Sequence, residues 1–254
     1  MPAVNRSAMR RRERALAARD PVMARLIAAA GPCTLSPQME LPPFETLARA
    51  IAHQQLNGTA AERILGRFTA LYAPAAFPEP AALTSTADEP LRACGFSFAK
   101  IRALRDLADK VCAGVVPDTP ELHQLADRAI VERITGVRGI GPWTVEMLLI
   151  FQLGRPDVLP VDDFGVCNGF RLAYGLKGMP TPRALAEFGE RWAPQRTLAA
   201  WYLWRAVDLA RSGKLPRPRK APRVKLKKSR PARPAAKPRK SGRKTRRAAR
   251  AKRA

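Results

Sequence analysis

The chain is short of the residues that metal and redox sites need. Of 254 residues, two are histidine (His53 and His123) and four are cysteine. Cys33, Cys94, Cys112 and Cys167 stand at long, irregular gaps. That spacing suits neither a zinc knuckle nor the tight run of thiolates that grips an iron–sulfur cluster. A core of this size does not depend on a disulfide framework. No run reaches 18 apolar residues, so no segment reads as a membrane-spanning helix. The N-terminal stretch carries Arg6, Arg10, Arg11, Arg12 and Arg14 but lacks the apolar stretch of a secretion signal. An intracellular protein is expected.

Acidic residues are missing from one end. From Arg211 to Ala254 there are 21 Lys or Arg, six prolines and no Asp or Glu. The remaining residues, 1–210, hold 25 basic and 21 acidic side chains. The formal charge of +25 is therefore mostly the property of the tail. With almost no large apolar residue, residues 211–254 cannot offset their ordering entropy and are expected to be disordered, as are the Arg-rich residues 1–19. Such a polycation attracts phosphates. A solubility tail is the plainer alternative. A membrane surface is a weaker one, because no amphipathic helix or lipidation motif adjoins the tail.

Sustained alternation of polar and apolar residues is also absent, and the body reads as helix after helix. Asp20-Pro21 has the chemistry of an N-cap followed by proline in the first turn, opening a helix through Ala30. Phe44–Leu56 follows. In Thr59–Tyr72, residues Ile64, Leu65, Phe68, Leu71 and Tyr72 share one helical face. Ser97–Val111 repeats the pattern, Thr181-Pro182 opens another helix, and Thr197–Leu209 is the last. The expected fold is all-α.

The most informative stretch begins at a short amphipathic helix, Asp127–Ile134. Thr135-Gly136-Val137-Arg138-Gly139-Ile140-Gly141-Pro142 comes next, then a nearly all-apolar helix, Trp143–Leu153. Two glycines one residue apart permit a tight turn and the close approach of a ligand. A helix N-terminus behind such a turn offers N–H groups and the positive end of a dipole, which suits a phosphate. Taken alone, this is more often a plain connection between helices. Beyond it, residues 154–166 end in two adjacent acids, Asp162 and Asp163, that head the next helix. One can cap that helix. The other is then a candidate carboxylate at the mouth of a cleft.

Val137-Arg138-Gly139-Ile140-Gly141-Pro142-Trp143-Thr144, with an aspartate twenty residues on, resembles the helix-hairpin-helix DNA glycosylase superfamily. Within it the chain is most similar to the bacterial 3-methyladenine DNA glycosylase II type. Further matching stretches are Ala52-His53-Gln54-Gln55-Leu56, Val145-Glu146-Met147, Pro160-Val161-Asp162-Asp163, Glu190-Arg191-Trp192-Ala193-Pro194 and Trp201-Tyr202-Leu203-Trp204-Arg205. The resemblance implies a two-lobed helical domain over residues 20–210, with the hairpin at about 127–153, a catalytic loop at 154–166 and the active site between the lobes. It makes Asp163 the catalytic carboxylate and leaves Asp162 to cap or support the helix. Trp143, Met147 and Trp204 would line a pocket for a flipped base, with Trp204 stacked on it. Gln54, Gln55 and Leu56 would enter the gap in the duplex, although spacing alone makes Leu56 equally a core residue. Arg138, Gly139, Ile140, Gly141 and Thr144 would hold the DNA backbone. Relatives often bind a Na+ or K+ ion here, which the main-chain oxygens of Thr135, Val137 and Ile140 would take.

The resemblance further implies a monofunctional hydrolase that releases alkylated purines from double-stranded DNA in base excision repair. Trp143 stands where lyase relatives place a lysine, and no close set of cysteines follows the last helix. No cofactor, no iron–sulfur cluster and no membrane partner are expected. The expected state is a monomer, cytoplasmic or nucleoid-associated, whose tail holds DNA nonspecifically. The sequence offers one well-placed acid and no convincing partner for it. The rival readings are a binding module that only holds DNA, against which Asp163 argues because an idle acid repels a polyanion, and a glycosylase of another base specificity.

Overall fold

The computed structural model describes residues 6–38 and 41–217; the stretch 218–254, most of the basic tail, lies outside the described residues. Among the described residues thirteen α-helices follow in chain order: α1 Arg6–Arg19, α2 Pro21–Ala30, α3 Pro43–His53, α4 Gly58–Ala70, α5 Pro80–Ser85, α6 Asp88–Ala93, α7 Phe98–Cys112, α8 Thr119–Gln124, α9 Asp127–Ile134, α10 Pro142–Phe151, α11 Phe164–Ala173, α12 Pro182–Gly189 and α13 Arg196–Arg211. No strand occurs among them, as the missing alternation led us to expect.

Local chemistry sets many of the boundaries. Asp20 caps α2 through Val22 N–H at 2.8 Å, with Pro21 in the first turn. Ser97, Asp118 and Thr181 cap α7, α8 and α12 in the same way. Proline is harmless at such starts because its missing N–H has no partner there anyway.

The helices bury two separate apolar cores. One gathers Leu47, Ile51, Phe68, Phe96, Leu104, Leu107, Ile130, Ile134, Val145 and Leu149 from α3 through α10. The other gathers Leu16, Met23, Leu26, Phe170, Leu185, Trp192, Tyr202 and Leu203 from both ends of the domain, α1 and α2 packing with α11, α12 and α13. Trp204 packs against both cores. Their connection is stapled: Arg196 holds Asp157 with its side chain at 2.9 Å, and the Thr197 hydroxyl bridges the Arg155 carbonyl and the Val158 N–H. Asp20 anchors the second lobe from within. Besides capping α2, its carboxylate accepts from Tyr174 Oη (2.6 Å) and Trp192 Nε1 (3.0 Å), so a nearly fully buried acid is satisfied.

The N-terminus corrects the sequence reading. Residues 1–19 were expected to be disordered, yet Arg6–Arg19 is helical. Met9, Glu13 and Leu16, spaced i, i+4, i+7, turn one face onto the second core. Glu13 accepts from Cys33 N–H (2.7 Å) and Tyr202 Oη (2.8 Å). The apolar stripe is narrow and contains a buried acid, which is why the arginines masked it.

Candidate active site

The loop after α10 delivers Asp163 to the junction of the lobes. Its backbone is extended (φ −66°, ψ 124°), and its side chain caps α11 by accepting Val166 N–H at 2.7 Å on Oδ1. The same oxygen accepts Trp204 Nε1 at 2.8 Å from α13, and Oδ2 accepts Trp143 Nε1 at 2.8 Å from α10. Three N–H groups from three helices therefore fix one carboxylate. Each carboxylate oxygen can accept two hydrogen bonds. Among the described residues Oδ2 accepts only that of Trp143, which leaves it a lone pair for a water or a sugar. Gly165 makes the contact with Trp204 possible: a Cβ there would stand 2.8 Å from Trp204 Cδ1 and 3.1 Å from Asp163 Oδ1.

The capping role thus falls to Asp163, the acid expected to carry the chemistry. Asp162 was expected to cap or support the helix, but it lies exposed in the preceding turn and makes no cap bond. The N-cap position is set by where the helical backbone begins, at Phe164, and only Asp163 immediately precedes it.

Trp143 is 46% exposed and forms, with Ala50, His53, Gln54, Gln55, Thr144 and Met147, the wall of an open cleft of about 420 Å³. Met147 is half-buried and backs the cleft against the first core. Trp204, expected to stack on a flipped base, also reaches Asp163. It bonds the opposite oxygen of Asp163, and one of its faces is stacked on Phe151 (centroids 5.7 Å apart, planes at 26°). It props the carboxylate, and the exposed indole beside the cleft is that of Trp143.

Glu146 is the member of the site that the sequence reading did not find. It lies one turn beyond Trp143 on α10, half-buried, with no hydrogen-bond partner among the described residues. Burial pushes its carboxyl up to about 7, and the negative charges of Asp162 and Asp163 add to the effect. The signal was its i+3 spacing from Trp143, which puts it on the side of α10 that meets Asp163.

The hairpin supplies a backbone surface. Gly139 takes φ +77° at its tip, a conformation that favours glycine. Helix α10 opens at Pro142 with no side-chain cap, and the amides of Gly139 and Gly141 meet no protein acceptor among the described residues. Arg138 is exposed. Two expected DNA contacts are not on this surface. Ile140 is 4% exposed with its N–H given to Val137 O, and Thr144 is 7% exposed with its N–H given to Gly141 O. The Ile140 side chain is drawn inward because the hairpin must pack on the first core, and Thr144 keeps only an edge on the cleft. The wedge residues separate as well. Gln55 and Leu56 are exposed, Leu56 by 40%, so Leu56 is not a core residue, while Gln54 turns its amide to the Gly139 carbonyl at 2.8 Å.

Residues 48–195 match the family described as the HhH-GPD superfamily of base excision DNA repair proteins. The chain belongs to this superfamily. The matched span runs from α3 to the start of α13 and contains both the hairpin and Asp163. The chain is 43% identical over 178 residues to DNA-3-methyladenine glycosylase 1 of Schizosaccharomyces pombe, covering 70% of this chain and 78% of that one. Its fold superposes on that of the Schizosaccharomyces pombe 3-methyladenine DNA glycosylase in complex with abasic DNA, with a TM-score of 0.70, 39% identity, and 79% and 98% of the two chains covered. A DNA-3-methyladenine glycosidase from Bacillus halodurans superposes with a TM-score of 0.72 at 35% identity, covering 79% of this chain and 91% of its own. Membership in the superfamily accounts for the two-lobed helical architecture and for a loop aspartate beside a hairpin.

Proposed function

We propose that the protein is a monofunctional DNA glycosylase that hydrolyses the N-glycosidic bond of alkylated purines flipped out of duplex DNA. The observation that carries this is the Asp163 carboxylate, fixed by three N–H donors beside a cleft with an exposed indole. Cleavage builds positive charge on the sugar. A fixed carboxylate stabilises that charge without reorganising, and Oδ2 has the capacity to orient the attacking water. Purines alkylated at a ring nitrogen are cationic and leave readily. Such a base gains about 1–2 kcal/mol over the Trp143 indole, which a neutral base does not. Extrusion itself costs a few kcal/mol, and least for a damaged pair.

The hairpin would hold a phosphate with the Gly139 and Gly141 amides, the start of α10 and Arg138. The Thr135 and Ile140 carbonyls accept no backbone hydrogen bond among the described residues, and with Val137 O they form a donor set that suits Na+ or K+. No step of base release runs through that ion. No iron–sulfur cluster or other cofactor enters this reading. The protein would act as a monomer on DNA inside the cell, with the basic tail as a nonspecific tether.

The test is incubation with methylated duplex DNA and chromatography of what is released. Free 3-methyladenine or 7-methylguanine is expected, with strands intact until alkali is added and no adduct trapped by borohydride. Failure to release any base would overturn the reading, and a trapped adduct would overturn the monofunctional assignment.

A further inference from the structure

The exposed turn after α3 and the tip of the hairpin lie 85 residues apart in sequence, yet they are tied into one unit. We propose that Gln54 is a positioning residue: it joins the turn that presents Leu56 to the hairpin, so that capture of a phosphate by the hairpin also sets where Leu56 enters the duplex. This rests on the glycosylase reading above.

The tie is direct. Gln54 Nε2 donates to Gly139 O at 2.8 Å, at the tip where Gly139 has its positive φ. A side chain spent in this way is not available to fill a gap in DNA. The turn it restrains is under strain. Gln55 sits at φ +57°, the only described non-glycine residue in the left-handed region. A residue held so is strained and persists only where its surroundings over-determine it. Here they do so from both sides. The Leu56 N–H closes the turn on His53 O at 3.2 Å. Beneath it, Lys100 on α7 donates to Ala52 O at 2.6 Å. The hairpin hangs from the same helix, since Asp106 accepts Arg138 N–H at 2.6 Å and Lys110 donates to Gly136 O at 2.7 Å.

Two loops fixed to one helix and to each other cannot adjust separately. The strained turn offers Leu56 to solvent at a set distance from the hairpin amides. Once those amides hold a phosphate, insertion of Leu56 becomes a step within one body rather than a second search. Loss of the Gln54 bond frees the turn to relax at Gln55. Nonspecific grip on DNA would survive, and base extrusion would suffer.

The experiment is a double-mutant cycle on extrusion, read by fluorescence of 2-aminopurine placed beside a tetrahydrofuran abasic analogue in a duplex. Gln54→Leu and Gln54→Glu both remove the donor. Each is expected to lower the extrusion equilibrium about fivefold to tenfold, the scale of one hydrogen bond, with affinity for undamaged duplex changed less than about twofold. Leu56→Ala should do the same, and the double variant Gln54→Leu/Leu56→Ala should be little worse than Leu56→Ala alone, because both act on one step. Additive losses would overturn the proposal, showing that Gln54 touches DNA on its own account. Hydrogen exchange of the free protein gives a second reading without DNA. The Leu56 amide should exchange about tenfold faster in Gln54→Leu while amides of the second core are unchanged. No change at Leu56 would equally refute the tie. If the wild-type protein releases no methylated base yet shows this exchange pattern, the glycosylase reading fails and the tie stands.

Discussion

Glu146 gives the sharpest quantitative test of the site, because its position should be visible in the stability of the free protein. In the unfolded chain its carboxyl ionises near its ordinary value of 4.5; in the fold, burial and the two aspartates move this to about 7. Below about pH 4.5 the carboxyl is neutral in both states and costs nothing. Between about 4.5 and 7 the unfolded chain gives up the proton and the folded chain keeps it. The unfolded state then binds fewer protons, so stability falls as pH rises, and the loss is complete above about 7. At about 1.36 kcal/mol per pH unit the full difference is about 3.4 kcal/mol. Because Glu146 is only half-buried, solvent screening leaves about 1–2 kcal/mol. Glu146→Gln keeps the shape and removes the titration. Urea unfolding of both proteins from about pH 4 to 8 is the assay. The stability of wild type relative to Glu146→Gln should decline by about 1–2 kcal/mol across the window and then level. The difference curve matters because other groups titrate too: Asp106 and Asp157, held low by their hydrogen-bonded partners, add stability that is lost only toward acid. A difference independent of pH, or one that favours wild type as pH rises, would refute the assigned surroundings of Glu146.

Three further outcomes are expected. Asp163→Asn should lower single-turnover base release by about a thousandfold or more while binding to abasic DNA stays within a few-fold, since the charge serves the transition state; Asp162→Asn, which removes no cap, should change stability by less than ~0.5 kcal/mol. Gly165→Ala should push the Trp204 ring off Asp163, destabilising the fold by about 1–3 kcal/mol in thermal melts and slowing base release, and a variant as active as wild type would show that Trp204 is not needed where it stands. Removing residues 211–254 should leave single-turnover release unchanged but flatten the fall of log affinity with log salt on undamaged duplex, by ~0.9 for each phosphate the tail no longer neutralises, and an unchanged slope would exclude a DNA tether.

Much of the domain was written locally. Asp20-Pro21, Ser97 and Thr181-Pro182 mark their helices because a cap joins near neighbours. The Gly139-Ile140-Gly141-Pro142 turn and the uncapped start of α10 were legible for the same reason, and the family resemblance pointed to Asp163 as the candidate carboxylate. What the sequence left open depends on groups brought from far along the chain. Helix α1 exists because Glu13 and Leu16 meet α2 and α13, and nothing in an arginine-rich stretch announces those partners. Residue type alone let either Asp162 or Asp163 cap α11, and the resemblance left that role to Asp162. The start of α11 chose between them, and the indoles of Trp143 and Trp204, 20 and 41 residues away, completed the carboxylate's surroundings. Glu146 looks like an ordinary surface acid in the sequence and becomes a proton-holding group only when the fold removes water from it and sets two carboxylates nearby. Gln54 reads as a residue for DNA until the hairpin carbonyl arrives beside it. The sequence determined where the helices, most of their caps and the hairpin turn stand, because residue type and helical spacing are local. The division of labour among the side chains was decided by tertiary structure, because hydrogen-bond partners and burial are not.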